Sequence, residues 1–244
     1  MPSTTQSPEP EVVDFRLDGF AADEQVRLDF YYRIGLNEDM LAPLAEHHTA
    51  DGTHSYYVLF DRSATYDHPG VPQYIALHLS RDQEKRTFDF EQKPLPLPSM
   101  AQSWLINRGC PPDAIGLNPE LGTSPADEET KALERRLVGD GDHYAMGYSY
   151  TRDDPDDMVT LVALRALGES ALSPFRVVVE EVDYEQWTHT LREGGFATVE
   201  EALQWCHHRL DGTAGPLPPV KPASFVRPAP MPKAPAPRLP GRSR

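Results

Sequence analysis

The stretch WTHTLREGGFATVEEALQWCHH, Trp187 to His208, reads as a strand running into a helix. Trp187, His189 and Leu191 alternate with Thr188, Thr190 and Arg192, so the two sets face opposite sides of an extended chain. Glu193-Gly194-Gly195 is expected to turn the chain, because glycine tolerates the positive φ of a tight turn. Thr198 with Glu201 three residues on makes a capping box, and Phe196 ahead of it can staple onto Ala202. Val199, Ala202, Leu203, Cys206 and Leu210 then recur at helical spacing. Cys206 is therefore expected to face the core and stay unreactive. His207 and His208 fall in the last turn, where a protonated imidazole suits the helix dipole. The glycine pair lacks phosphate-loop spacing. A stretch with two glycines, a cysteine and two histidines thus reads as scaffold, not as an active site.

Working outward, the same order occurs earlier in the chain. Phe88 to Ser99 matches Trp187 to Thr198 at a constant offset of 99, with Leu97 on Phe196 and Trp104 on Leu203. YIAL (74–77) falls near LVAL (161–164). In the first half, residues 26–34, 54–62, 72–80 and 86–91 show strand alternation. Residues 37–47 suggest a short helix interrupted near Pro43, and Ser99 is expected to open a helix with Gln102 at the capping-box position. In the second half, 124–139 is an amphipathic helix with Ser124 as its cap, followed by strands at 142–151, 158–166, 174–182 and 186–193. The expected fold class is α+β, antiparallel sheets with flanking helices, arranged as two duplicated α-β-β-β-α units over 11–118 and 119–215. The competing explanation is that any two α+β segments share such a pattern. Residues 1–10 are expected to be disordered.

Residues 216–244 separate from this body by composition. Ten of the 29 are proline, six are basic and none is acidic, which predicts an extended, disordered proline-rich tail. The whole chain carries a formal charge of −15; without the six basic tail residues the body stands at −21. Lys221, Arg227, Lys233 and Arg238 are the tail's candidate contact residues. No apolar run approaches the roughly 18 residues of a membrane span, and the N-terminus lacks a secretory pattern. A cytoplasmic protein is expected. Arginine outnumbers lysine 18 to 5, a bias that suggests a bacterial source with a GC-rich genome. Cys110 and Cys206 do not make a disulfide framework, although a bridge between them is sterically open from sequence.

Few residue constellations suggest chemistry. Asp153, Asp154, Asp156 and Asp157 form the densest carboxylate cluster, but without the spacing of a calcium loop. They read first as a polar hairpin loop and second as a metal site. Asp67 and His68 lie in a Gly/Pro loop where an acid–base pair could sit, near the looser group His47, His48 and His54. Adjacent His47 and His48 point to different sides and suit no shared zinc ion. Glu180 and Glu181 are strand neighbours, so they face opposite sides and make no close acid–base pair. No nucleophile elbow or nucleotide fingerprint is present, and no cofactor is expected.

The α-β-β-β-α order is similar to that of double-stranded RNA-binding domains. The likeness is of topology alone. Residues 198–205 of the last helix carry two glutamates and no basic residue, and an acidic body repels a polyanion. The leading expectation is a non-catalytic interaction or regulatory protein that binds another protein through its acidic surface or a sheet face, a basic protein being one such partner. Tyr57, Tyr148 and Tyr150 are expected as exposed strand aromatics at such an interface. The alternatives are a hydrolase, metal-dependent or not, using Asp67, His68 and the loop carboxylates, and an accessory protein of a phage or mobile element.

Overall fold

Two turns place the rest of the chain. In Asp82–Thr87 the Asp82 carboxylate accepts hydrogen bonds from the Glu84 and Lys85 amides; in Asp183–Thr188 the Asp183 carboxylate accepts from Glu185 and Gln186. Each turn ends on a residue with positive φ, Arg86 at 56° and Trp187 at 54°. The matching offset is therefore 101, not 99, and it carries through the next helix, where buried Ala101 matches buried Ala202 and Leu105 matches Cys206. The offsets differ by two because strand runs align almost equally well after a slip that keeps the period of two.

In this computed structural model, residues 13–66, 68, 70–139, 144–168 and 173–220 are described. The chain is α+β with helices flanking two sheets. The first half runs α1 (Glu24–Arg33), a 3₁₀ turn at Gly35–Met40, β1 (Leu41–His48), β2 (His54–Asp61), β3 (Tyr74–Asp82), β4 (Thr87–Leu95) and α2 (Pro98–Ile106). The second runs β5 (Ser124–Pro125), α3 (Glu128–Gly139), β6 (Tyr144–Arg152), β7 (Val159–Ala166), β8 (Phe175–Asp183), β9 (Thr188–Phe196) and α4 (Val199–Leu210). The sheets order as β1-β2-β3-β4 and β5-β9-β8-β7-β6. Each half is thus a four-strand antiparallel meander between two helices, one strand more than the expected unit.

Smaller features recur at matching places. The first strand of each meander is bulged, at Leu44 in β1 and at Gly147 in β6. A short parallel contact enters each sheet, Ala21 beside Thr87 and Ser124 beside Thr188. An aspartate then caps the helix that follows: Asp23 accepts from the Val26 amide and Asp127 from the Thr130 amide.

Several local expectations are corrected. Residues 26–34 form most of α1, not a strand. Val26, Phe30 and Ile34 also fit a helical spacing, and the Asp23 cap decides between the two periods. Residues 41–48 are strand, not helix; Pro43 is tolerated because β1 is an edge strand beside a bulge. Leu97, with Pro98 at the first helical position, starts α2 without a side-chain cap, so Ser99 and Gln102 form no capping box. Ser124 lies in β5, and Asp127 rather than Ser124 caps α3. The α4 capping box of Thr198 and Glu201 is present as read.

Gly194 and Gly195 do not turn the chain; β9 continues to Phe196. Their value is a missing side chain. Leu217 to Val220 cross β9 there, and the Gly195 amide donates to the Pro218 carbonyl at 3.0 Å. A Cβ on Gly194 would stand 2.7 Å from the Leu217 side chain. Residues 221–244 lie outside the described residues.

Each sheet carries a buried apolar cluster on both faces, although one face of β4 keeps Asp89, Glu91 and Lys93 exposed. Leu44, Tyr56, Val58 and Ala76 pack under α2 with Leu105 and Cys110. The opposite face packs Tyr57, Leu59, Leu77 and Leu79 against Val13, Phe15 and Phe30. In the second half, α4 covers Leu161, Ala163 and Val177, while α3 covers Val162, Val178 and Leu191. Two covered faces explain why β7 is an unbroken buried run instead of an alternating one. Leu97 and Met100 from the first half pack into the α3 layer of the second, so the halves share a core.

Candidate functional site

The register identifies a place where the two halves differ in chemistry. On the first-half face under α1, Phe30, Leu79 and Phe88 are apolar, with Phe30 edge-on to Phe88 at 5.6 Å. At the offset of 101 the equivalent strand positions in the second half are Glu180 on β8 and His189 on β9, and on α3 Glu134 stands as far from its capping Asp127 as Phe30 stands from Asp23. An apolar layer in one half is therefore a Glu–Glu–His cluster in the other. The comparison indicates that the fold itself does not require polar groups there. Polar residues in such a layer break the local pattern, as functional sites commonly do.

The cluster lines a cavity of about 230 Å³ at the junction of the halves. Leu44, Tyr74 and Pro98 close it from the first half, and the 117–125 segment forms its rim. Glu134, Glu180 and His189 form the second-half wall. No lysine or arginine lines it.

Hydrogen bonds fix the histidine at both nitrogens. His189 Nε2 lies 2.9 Å from Glu134 Oε1, and Nδ1 lies 2.9 Å from the Thr123 hydroxyl. Burial opposes a charge on His189, but the Glu134 hydrogen bond and the Glu180 charge outweigh it and raise its pKa. Glu180 is 5% exposed. Burial, reinforced by Glu134, pushes its pKa up to about 7, against the pull of His189 and the Thr160 hydroxyl. Burial also raises the Tyr74 phenol well above its usual range. Glu180 thus exchanges its proton near neutrality, beside a histidine whose charged form is favoured.

Chemically, two uses are open to such a wall. The chain Thr123 hydroxyl–His189–Glu134 can pass a proton, as a nucleophile–base–acid series does. The carboxylates can also hold a positively charged group in a site that excludes most water.

Comparison with known proteins returns nothing. No family model, no curated protein and no solved structure matches the chain.

The residues singled out from sequence fall elsewhere. Asp153 does meet the 65–73 loop: its carboxylate accepts from the Thr65 hydroxyl at 3.0 Å and the Gln73 amide at 2.9 Å. The Gly70 amide also donates to the Thr151 carbonyl. The two loops are together, but as a structural joint between halves. Asp154 accepts from the Asp156 amide within its own turn, and both residues are exposed. Asp157 pairs with Arg152 and Arg209, whose hydrogen bonds hold its carboxyl below the usual range despite partial burial. His68 is exposed, and Asp67 lies outside the described residues. Among the described residues no three His, Cys, Asp or Glu side chains are grouped to hold a metal.

Of the interface tyrosines, Tyr57 is a correction. It is fully buried, and its hydroxyl donates to the Asp14 carbonyl at 3.0 Å. Covering by Val13–Leu17, unreadable from a strand alone, puts it inside. Tyr148 is half-buried beside His207, and Tyr150 is half-buried against Gly70. Lys221, Arg227, Lys233 and Arg238 lie outside the described residues. Cys110 and Cys206 are both buried free thiols in separate core clusters, each pushed up to about 11 by burial.

Glu181, on the other face of β8 from Glu180, pairs with Arg209. The opposite facing was legible; the partners of Glu180 were not, because they come from other elements. The signal available was a carboxylate directly after the buried run Val177-Val178-Val179.

Proposed function

We propose that this chain is a non-catalytic, cytoplasmic binding protein, built from two α+β units that arose by duplication, whose acidic body engages a basic protein. The observation that carries this reading is the fate of the acidic loop. Asp153 ties the halves together and Asp157 ties β6 to α4 through Arg152 and Arg209. Two of the loop carboxylates that sequence offered for hydrolysis, Asp153 and Asp157, are thus engaged in contacts within the fold, which supports the non-catalytic reading. The body's formal charge of −21 then remains as a property of the surface, suited to long-range attraction of a cationic partner. The test is fluorescence anisotropy of a labelled arginine-rich peptide with the full-length protein, against an acidic peptide of equal length. Saturable binding of the basic peptide that weakens with salt is expected.

One observation favours a second reading, a hydrolase centred on Thr123, His189 and Glu134: the hydroxyl, imidazole and carboxylate are already joined by two 2.9 Å contacts. Thr123→Ala tested on a panel of activated esters addresses it. Turnover by the wild type that the substitution abolishes would favour the hydrolase.

A further inference from the structure

We propose that the cavity bounded by Glu134, Glu180 and His189 is a binding site for a small organic cation, an ammonium or guanidinium group, with Glu180 as its counter-ion. This does not rest on the basic-protein reading, because a small cation needs no extended acidic surface.

In the first half Leu79, Phe88 and Phe30 fill this layer with an aromatic and aliphatic plug. The second half replaces all three with ionisable groups and leaves a space of about 230 Å³ beside them. A buried carboxylate is costly unless a positive or hydrogen-bonding partner meets it. Glu134 has its partner, the His189 imidazole at 2.9 Å. Among the described residues Glu180 is met by the Thr160 hydroxyl and by the charge of the same histidine, and by no lysine or arginine. The groups that face it are Glu134 from α3, His189 from β9 and Tyr74 from β3. None is a lysine or arginine, so the wall carries an unbalanced negative charge when Glu180 ionises.

The shape favours an organic cation over a bare metal ion. Among the described residues the oxygen and nitrogen donors are not grouped for coordination. The remaining walls, Leu44, Tyr74, Pro98, Leu117 and Pro119, offer apolar and aromatic surface to an alkyl stem. Tyr74 adds a ring that can face a cation. The rim segment 117–125 hydrogen-bonds back to the first half through Asn118 to the Leu44 carbonyl, which builds the mouth from both halves.

The test is calorimetric titration of the full-length protein with n-butylammonium and with methylguanidinium, using n-butanol as the neutral control. A tripeptide with a central arginine and blocked ends forms a parallel arm. Saturable binding of a cation is expected, with n-butanol at least tenfold weaker. Binding should fall by roughly tenfold or more from pH 8 to pH 5.5 as Glu180 takes up its proton. Glu180→Leu, which installs the residue of the first half, should abolish binding while circular dichroism shows an unchanged fold. Binding by the free cations assigns the site to a small molecule; binding by the tripeptide alone assigns it to a protein side chain, and both uphold the cation chemistry. Failure of every cation to bind, equal binding of n-butanol, or undiminished binding by folded Glu180→Leu protein would overturn it.

Discussion

Replacing Glu180 by glutamine or leucine should change how stability responds to pH. Glu180 is 5% exposed and its pKa is raised to about 7 from an ordinary carboxyl value of 4.5. The folded protein therefore keeps a proton that the unfolded chain releases. That contribution is full below the unfolded value and is lost as pH rises toward 7, at about 1.4 kcal/mol per pH unit. The loss sums to about 3 kcal/mol, and above pH 7 it levels off because both states are ionised. His189, also raised, acts in the same direction: its stabilisation is present below the ordinary histidine value and fades as pH climbs through its folded value. Depressed carboxylates such as Asp157 act oppositely, losing their stabilisation as pH falls. The clean quantity is thus the difference between wild type and Glu180→Gln. Urea unfolding followed by tryptophan fluorescence at pH 5 and pH 8 measures it. The variant should gain about 2 to 3 kcal/mol relative to wild type over that interval. Glu180→Leu should be more stable than wild type at pH 8, because an apolar side chain removes the buried charge. An identical wild-type-to-variant difference at both pH values would refute the reasoning, as would a leucine variant less stable than wild type at pH 8.

Other outcomes follow from the same contacts. Asp153→Ala should cost about 1–3 kcal/mol in urea unfolding, since it strands the Gln73 amide, which is 2% exposed. Gly195→Val should cost about 1–3 kcal/mol and expose residues 217–220 to limited proteolysis, because a side chain there meets Ser173 and Val220. Cys110 and Cys206 should resist a thiol reagent in the native protein and react together on unfolding, as two buried thiols whose pKa values are raised to about 11.

What was legible in the sequence divides by range. The α4 capping box and the inward Cys206 depend on residues a few positions apart and are present; the strand read at 186–193 is present as Thr188–Phe196, with Trp187 left exposed in the turn before it. The α+β class followed from the same short-range patterns. The segment 26–34 was misread because Val26, Leu28 and Phe30 alternate while Val26, Phe30 and Ile34 also share a helix face; the Asp23 cap lay just outside the window. Tyr57 was misplaced because the segment that buries it arrives from some forty residues upstream. Glu134, Glu180 and His189 went unassembled for the same reason. They stand on a helix and two strands, and only the pairing register brings them to one cavity.

Under the proposed function the acidic body attracts a basic partner through its charge. The most direct measurement is anisotropy of a labelled arginine-rich peptide titrated with the full-length protein at low and at physiological salt. The account predicts saturable binding that weakens as salt rises, with an acidic peptide of equal length left unbound. No binding of the basic peptide at low salt, or equal binding of both peptides, would contradict it.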